Sequence, residues 1–211
     1  MKNFGLVIVC FIIGMGLMVF FTPKKQISKK QMPSPTFSVA NPPIDSLRGS
    51  ISTRSGTLFW ESRIATEPAQ LIETVSIQQG ERLITKEKSS STLNFEKFGT
   101  IELDENADIS FIQTLPIDFV VAQKNGTISY EVNGKTPLSV RLRSALITKS
   151  SGTILIKMAE GDSIVEISTT KGIAQIGYND IENVSQVFTL KEGQVYEYNS
   201  DERTTVNSKN K

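Results

Sequence analysis

The feature that most restricts the fold is alternation of apolar and polar residues with a period of two. Ile128, Tyr130 and Val132 alternate with Thr127, Ser129 and Glu131, and Leu138, Val140 and Leu142 alternate with Ser139, Arg141 and Arg143. Ile154, Ile156 and Met158 are followed by Val165 and Ile167, then by Ile173 and Ile176. Successive side chains of a strand point to opposite faces, so this pattern places one face in a core and the other in water. Glycines punctuate the runs, and short strands at spacings of about 8–18 residues with few helix signatures between them predict an all-β sandwich, barrel or solenoid. Asn125-Gly126 and Asn133-Gly134 read as two-residue hairpin turns, because both residue types tolerate positive φ, or, in a solenoid, as corners between successive rungs. One short stretch, residues 67–73, reads as helical.

Before the strands, residues 4–21 form an apolar run without a charge. Roughly 18 residues at a 1.5 Å rise give about 27 Å, enough to cross a hydrocarbon core. The alternative is a cleaved signal, but the run is long for one, and Phe20-Phe21-Thr22 is not a small-x-small cleavage site. Cys10 is preceded by Val9, where lipoprotein processing needs a small residue. The reading is a transmembrane anchor over residues 1–22, with the membrane as the first partner. Lys24, Lys25, Lys29 and Lys30 follow the span, and the positive-inside rule alone would keep the body in the cytoplasm. A three-residue head is also how export signals begin. Residues 23–46, with Pro33, Pro35, Pro42 and Pro43, read as a semi-rigid linker. Residues 47–199 form the all-β domain, and residues 200–211 are expected to be a disordered polar tail.

Composition removes several functions. Lys and Arg number 23 against 22 Asp and Glu, a net charge of +1, so the clustered positive charge of a nucleic-acid binder is missing. Cys10 is the single cysteine and histidine is absent. An intrachain disulfide is therefore ruled out, and the commonest general base and transition-metal ligand is gone. No cofactor is expected, since the chain carries no phosphate loop or nucleophile elbow. Asp104, Asn106 and Asp108 open like a calcium loop. The sixth and twelfth positions are Ile109 and Leu115, where such a loop needs Gly and Glu. No pair of carboxylates stands out as a glycosidase dyad, and the chain is not read as an enzyme.

Four residues remain as a binding face. Arg141 and Arg143 fall on one strand face and are able to hold an anion, although alternating arginines also serve to protect a sheet edge. Trp60 and Tyr178 are candidate stacking platforms for a sugar, with core packing as the competing role for each and the better one for Phe59.

The order of the glycine-bounded motifs resembles the FecR domain family. Gly80-Glu81-Arg82-Leu83-Ile84-Thr85 is similar to that family's glycine-acid-x-apolar-x-Thr signature. Ser91-Thr92-Leu93-Asn94-Phe95 and Gly99-Thr100-Ile101-Glu102-Leu103 continue it. Gly152-Thr153-Ile154-Leu155-Ile156, Val165-Glu166-Ile167, Gly172-Ile173-Ala174 and Leu190-Lys191-Glu192-Gly193-Gln194 complete it. Gly49-Ser50-Ile51 and Ser55-Gly56-Thr57-Leu58-Phe59 look like the opening strands. The resemblance implies a solenoid-like β stack outside the cytoplasmic membrane, engaging an envelope protein partner in signalling. Regulatory members carry a sigma-factor-binding domain before the span, whereas Met1, Lys2 and Asn3 alone precede it here. The expectation is thus a non-catalytic, anchored interaction module. The alternative is a structural or polysaccharide-binding envelope protein, with glycan as ligand.

Overall fold

The computed structural model describes residues 41–210, and every regular element among them is a strand. The early strands are short: β1 Gly49–Ser55, β2 Leu58–Glu61, β3 Ala69–Gln70, β4 Ser76–Ile77, β5 Arg82–Thr85, β6 Ser90–Phe95, β7 Gly99–Leu103 and β8 Asp108–Leu115. Three of the later ones are long, namely β9 Asp118–Val132, β11 Ala145–Met158 and β12 Ile164–Asn179. The rest are β10 Leu138–Leu142, β13 Ser185–Leu190, β14 Gln194–Asn199 and β15 Thr204–Asn210.

The 15 strands form one hydrogen-bonded sheet. All pairings are antiparallel except that of β9 with β10. Each long strand bends and serves two ladders. The second half of β9 lies between β7 and β11, and its first half lies between β8 and β10. β12 pairs with β14 along its first half and with β13 along its second. The sheet thereby reads as two faces sharing β9, β11 and β12. One runs β15-β14-β12-β11-β9-β7-β6-β1-β4, and the other β13-β12-β11-β10-β9-β8-β5-β2-β3.

The two faces meet over one continuous core. Phe95 of β6 reaches Phe111 of β8 at 5.5 Å and Phe119 of β9 at 4.9 Å between ring centroids. At the other end Tyr178 of β12 lies 4.8 Å from Tyr198 of β14. Ile128, Tyr130, Leu138, Val140, Ile154, Ile156, Val165 and Ile167 are all buried, as the alternation predicts. What is observed is a single open, mixed sheet that bends over its own core. A solenoid would stack successive parallel rungs, and one parallel pair does not make such a stack.

Glycine sets the bends. Gly152 (φ 92°) and Gly172 (φ 81°) face each other across β11 and β12 where the register slips. A Cβ at Gly152 would collide with the Lys171 carbonyl. The slip also changes the phase of β12: Ile173, expected inside, is exposed, and Ala174 is buried in its place. Asn125-Gly126 does not reverse the chain. Gly126 (φ 84°) bends β9 between its two ladders instead. Asn133-Gly134 leads into β10, with both amides bonded to the Phe98 carbonyl at 3.0 and 2.9 Å. The two-residue hairpins fall at Pro116-Ile117 and Arg143-Ser144.

Two further expectations are corrected. Residues 67–73 contain the short strand β3 and no helix, because Gln70 and Ala69 pair with Phe59 and Trp60. The polar tail carries β15, whose backbone adds to β14 from Asn199↔Thr204 to Gln194↔Asn210. An edge ladder needs backbone groups rather than an apolar face, so composition did not reveal it. The anchor at residues 1–22 and most of the linker lie outside the described residues. No helix among the described residues is long and apolar enough to cross a membrane.

Candidate functional site

Strand register assembles a row of outward side chains across the second face. Ala122 of β9, Arg141 of β10, Leu146 of β11, Gly177 of β12 and Val187 of β13 are consecutive partners. Beside it runs a polar row of Ser139, Thr148, Gln175 and Thr189. Arg141, Leu146 and Val187 are exposed, the last at 67%. Gly177 leaves a gap between Leu146 and Val187. A Cβ there would meet nothing closer than two carbonyl oxygens at 3.9 Å, and its φ is not positive. Neither packing nor backbone geometry demands glycine at this position.

The gap belongs to a groove of about 530 Å³ lined also by Arg143, Ser144, Tyr178, Asn179, Ser185 and Gln186. Arg143 sits at the tip of the β10–β11 hairpin, not on the strand, and donates from its guanidinium to Ser200 Oγ at 3.2 Å. Ser144 Oγ donates to the Ser200 carbonyl at 3.1 Å and lies 2.8 Å from the Tyr198 hydroxyl. These bonds fasten the hairpin to the end of β14. Arg141 has no hydrogen-bond or ion-pair partner among the described residues. β10 lies between β9 and β11, so edge protection does not account for that charge. In the loop after β12 the Asp180 carboxylate is taken up locally, accepting from the Val184 and Glu182 amides and from Gln186 Nε2.

Of the four residues expected to bind, three therefore come together and Trp60 stands apart. Tyr178 reaches the groove only by an edge, since its ring is stacked on Phe188 at 5.9 Å and packed on Tyr198. Trp60 packs against the core from β2 and donates through Nε1 to Glu81 Oε2 at 3.1 Å. Burial raises the Glu81 carboxyl above its ordinary range, opposed by the hydrogen bonds from the Gln78 amide and Trp60. Leu146, Gly177 and Val187 carried no signal in the sequence, because cross-strand neighbours 41 residues apart become visible only through the register.

The acidic stretch does not converge. Asp108 is buried against Arg82, which donates from Nε at 2.7 Å and from its terminal nitrogen at 2.5 Å, and which also reaches Glu61 at 3.1 Å. Glu102 and Asp104 are exposed. No group of three or more potential ligands among the described residues is placed to hold a metal.

This arrangement of bent strands and paired faces has a counterpart among solved structures. In fold, the chain is similar to a candidate anti-sigma factor. Two crystal structures described in that way, from Parabacteroides distasonis ATCC 8503, align with TM-scores of 0.51 and 0.52 at 14% and 13% identity. Each alignment covers 62% of this chain and 59% of the other, so this chain matches about three fifths of that protein's length. Identity this low speaks for the shared fold alone. No protein-family model matches the chain, and no curated protein does.

Proposed function

We propose that this chain is a non-catalytic signalling module of FecR-like type, held at the cytoplasmic membrane by its N-terminal apolar segment, with the β body outside the cytoplasm. The observation that carries this reading is the fold shared with a candidate anti-sigma factor, taken with the FecR-like order of motifs from Gly80 to Gln194. The ligand is an envelope protein and not a glycan. The rings that would stack on a sugar, Trp60 and Tyr178, are engaged in packing, and exposed aliphatic side chains such as Leu146 and Val187 suit a protein surface.

Cross-linking of the tagged full chain in intact cells, followed by mass spectrometry, tests the reading. One discrete protein partner is the expected product, and cell-wall glycan alone would overturn it. A topology reporter must be fused after Lys211, since a fusion after Asn199 would sever β15. An extracytoplasmic signal is expected, and a cytoplasmic one would vindicate the lysines after the span.

A further inference from the structure

We propose that the groove across β10 to β13 takes an extended, acidic segment of the protein partner, with a carboxylate on Arg141 and Arg143 and an apolar side chain seated over Gly177. The proposal rests on the functional reading above and specifies its contact surface.

Three observations converge on it. The groove is lined by two arginines and by no carboxylate, and Arg141 is spent on no internal partner. A guanidinium presents paired N–H donors that match a carboxylate in bidentate fashion, and a half-exposed one gains more from a ligand than a lysine would. Leu146 and Val187 stand 42% and 67% exposed on either side of Gly177. A glycine that neither φ nor packing requires leaves a socket between two apolar walls. The third observation is scale. Strands lie about 4.8 Å apart, so the row from Arg141 to Val187 spans about 14 Å. An extended peptide advances about 6.8 Å every second residue. With an acidic side chain at Arg141, the side chain two positions on arrives about 7 Å along the row, between Leu146 and Gly177, from where an apolar side chain leans over the socket. The partner's recognition sequence is then acid-x-apolar, read by side chains on the outer sheet surface.

The free edge of β13 lies at the end of this row. Ser185–Leu190 contains no charge and, among the described residues, pairs with β12 alone. Val184 and Ile181, both exposed, extend the apolar strip in the loop before it. An acid-x-apolar segment therefore has further apolar surface at its exit from the groove.

The test uses the full chain in detergent micelles and a fluorescein-labelled hexapeptide, Ser-Glu-Ser-Val-Ser-Gly, which carries the acid-x-apolar spacing, followed by anisotropy. The same peptide with lysine in place of glutamate is the charge control, and oligogalacturonate is the competing anionic sugar. The glutamate peptide is expected to bind at least tenfold more tightly than the lysine peptide. Arg141→Glu and Gly177→Leu are each expected to weaken it at least tenfold, while thermal midpoints stay within the reproducibility of the melt. Pairing Arg141→Glu with Arg143→Glu should transfer preference to the lysine peptide. Equal binding of the two peptides, indifference to these variants, or preference for oligogalacturonate would overturn the proposal. If the charge-reversed chain still cross-links the same protein in cells, the groove assignment fails and the signalling reading stands. If neither chain cross-links a protein, the signalling reading itself fails.

Discussion

Two charges, buried Lys149 and half-buried Arg82, act on this sheet in opposite senses. Lys149 is 2% exposed, and its Nζ donates to the Lys171 carbonyl at 2.8 Å, inside the bend of β11. Burial lowers its pKa, and Glu192 opposes the shift. In the unfolded chain a lysine titrates near pH ~10.4. Between the lowered folded value and that pH the unfolded state binds more protons, so stability climbs as pH rises through the window. Below it, the cost of burying the ammonium is fully present. Lys149→Met should lack this alkaline climb and, at pH 7, be neutral or more stable by about 1 kcal/mol, read from urea midpoints across a pH series. Arg82 is the converse case. It bridges Asp108 and Glu61 and holds both carboxylates across β5, β8 and β2, and these contacts raise its own pKa further. Arg82→Ala leaves Asp108, 7% exposed, without its counter-charge. The expected loss is about 3 kcal/mol, measured by equilibrium unfolding.

At the scale of elements, the bends in the long strands matter more than the strands' length. Gln123 straps the bend of β9: its Nε2 donates to the Gly126 carbonyl at 2.9 Å and the Ile156 carbonyl at 3.2 Å, and its Oε1 accepts from the Tyr130 hydroxyl at 3.1 Å. Gln123→Leu keeps most of the volume and strands three polar groups in the core. It should destabilise by about 2–4 kcal/mol, against a Gln113→Leu control in β8 that is close to neutral. Strand phase gives a sharper contrast. Ile156 and Val165 pack in the core from β11 and β12, whereas Ser139 is half-buried on the outer face of β10. Ile156→Asp or Val165→Asp should abolish the cooperative melt, because an unpaired carboxylate in that core costs several kcal/mol. Ser139→Asp should shift the midpoint by no more than a surface substitution does. The phase of 127–132, 138–142 and 154–158 was legible in the alternation itself. That of β12 beyond Gly172 was not, since a one-residue bulge inverts which face each side chain takes.

At the scale of the molecule, the two faces close over one core, and the first strands complete it. The Leu47 amide donates to the Thr114 carbonyl at 2.6 Å, and Thr114 Oγ1 donates to the Leu47 carbonyl at 2.9 Å, which ties the chain's entry to β8. β1 covers β6, and β2 covers β5. A fragment beginning at Asn41 should give a β-type circular dichroism spectrum and a cooperative thermal transition. One beginning at Ile77 lacks β1 to β3, bares the edges of β5 and β6, and should aggregate. A stable monomer from the shorter fragment would show that the first strands are dispensable to the core.

Alternation determined that the described body is all-β and which side chains of 127–132, 138–142 and 154–167 face inward, because period-two burial is local information carried by each strand. The arginines of the groove were likewise visible as exposed charges at Arg141 and Arg143. Tertiary structure alone decided that Asn125-Gly126 bends a strand instead of reversing it, that a polar tail adds β15, and that Tyr178 and Trp60 turn to packing. It also brought Leu146, Gly177 and Val187 beside Arg141. The physical reason is the same in each case. A positive-φ residue allows a bend or a turn, an edge strand needs only backbone, and neighbours across a sheet are chosen by register, which long-range pairing sets and local sequence does not.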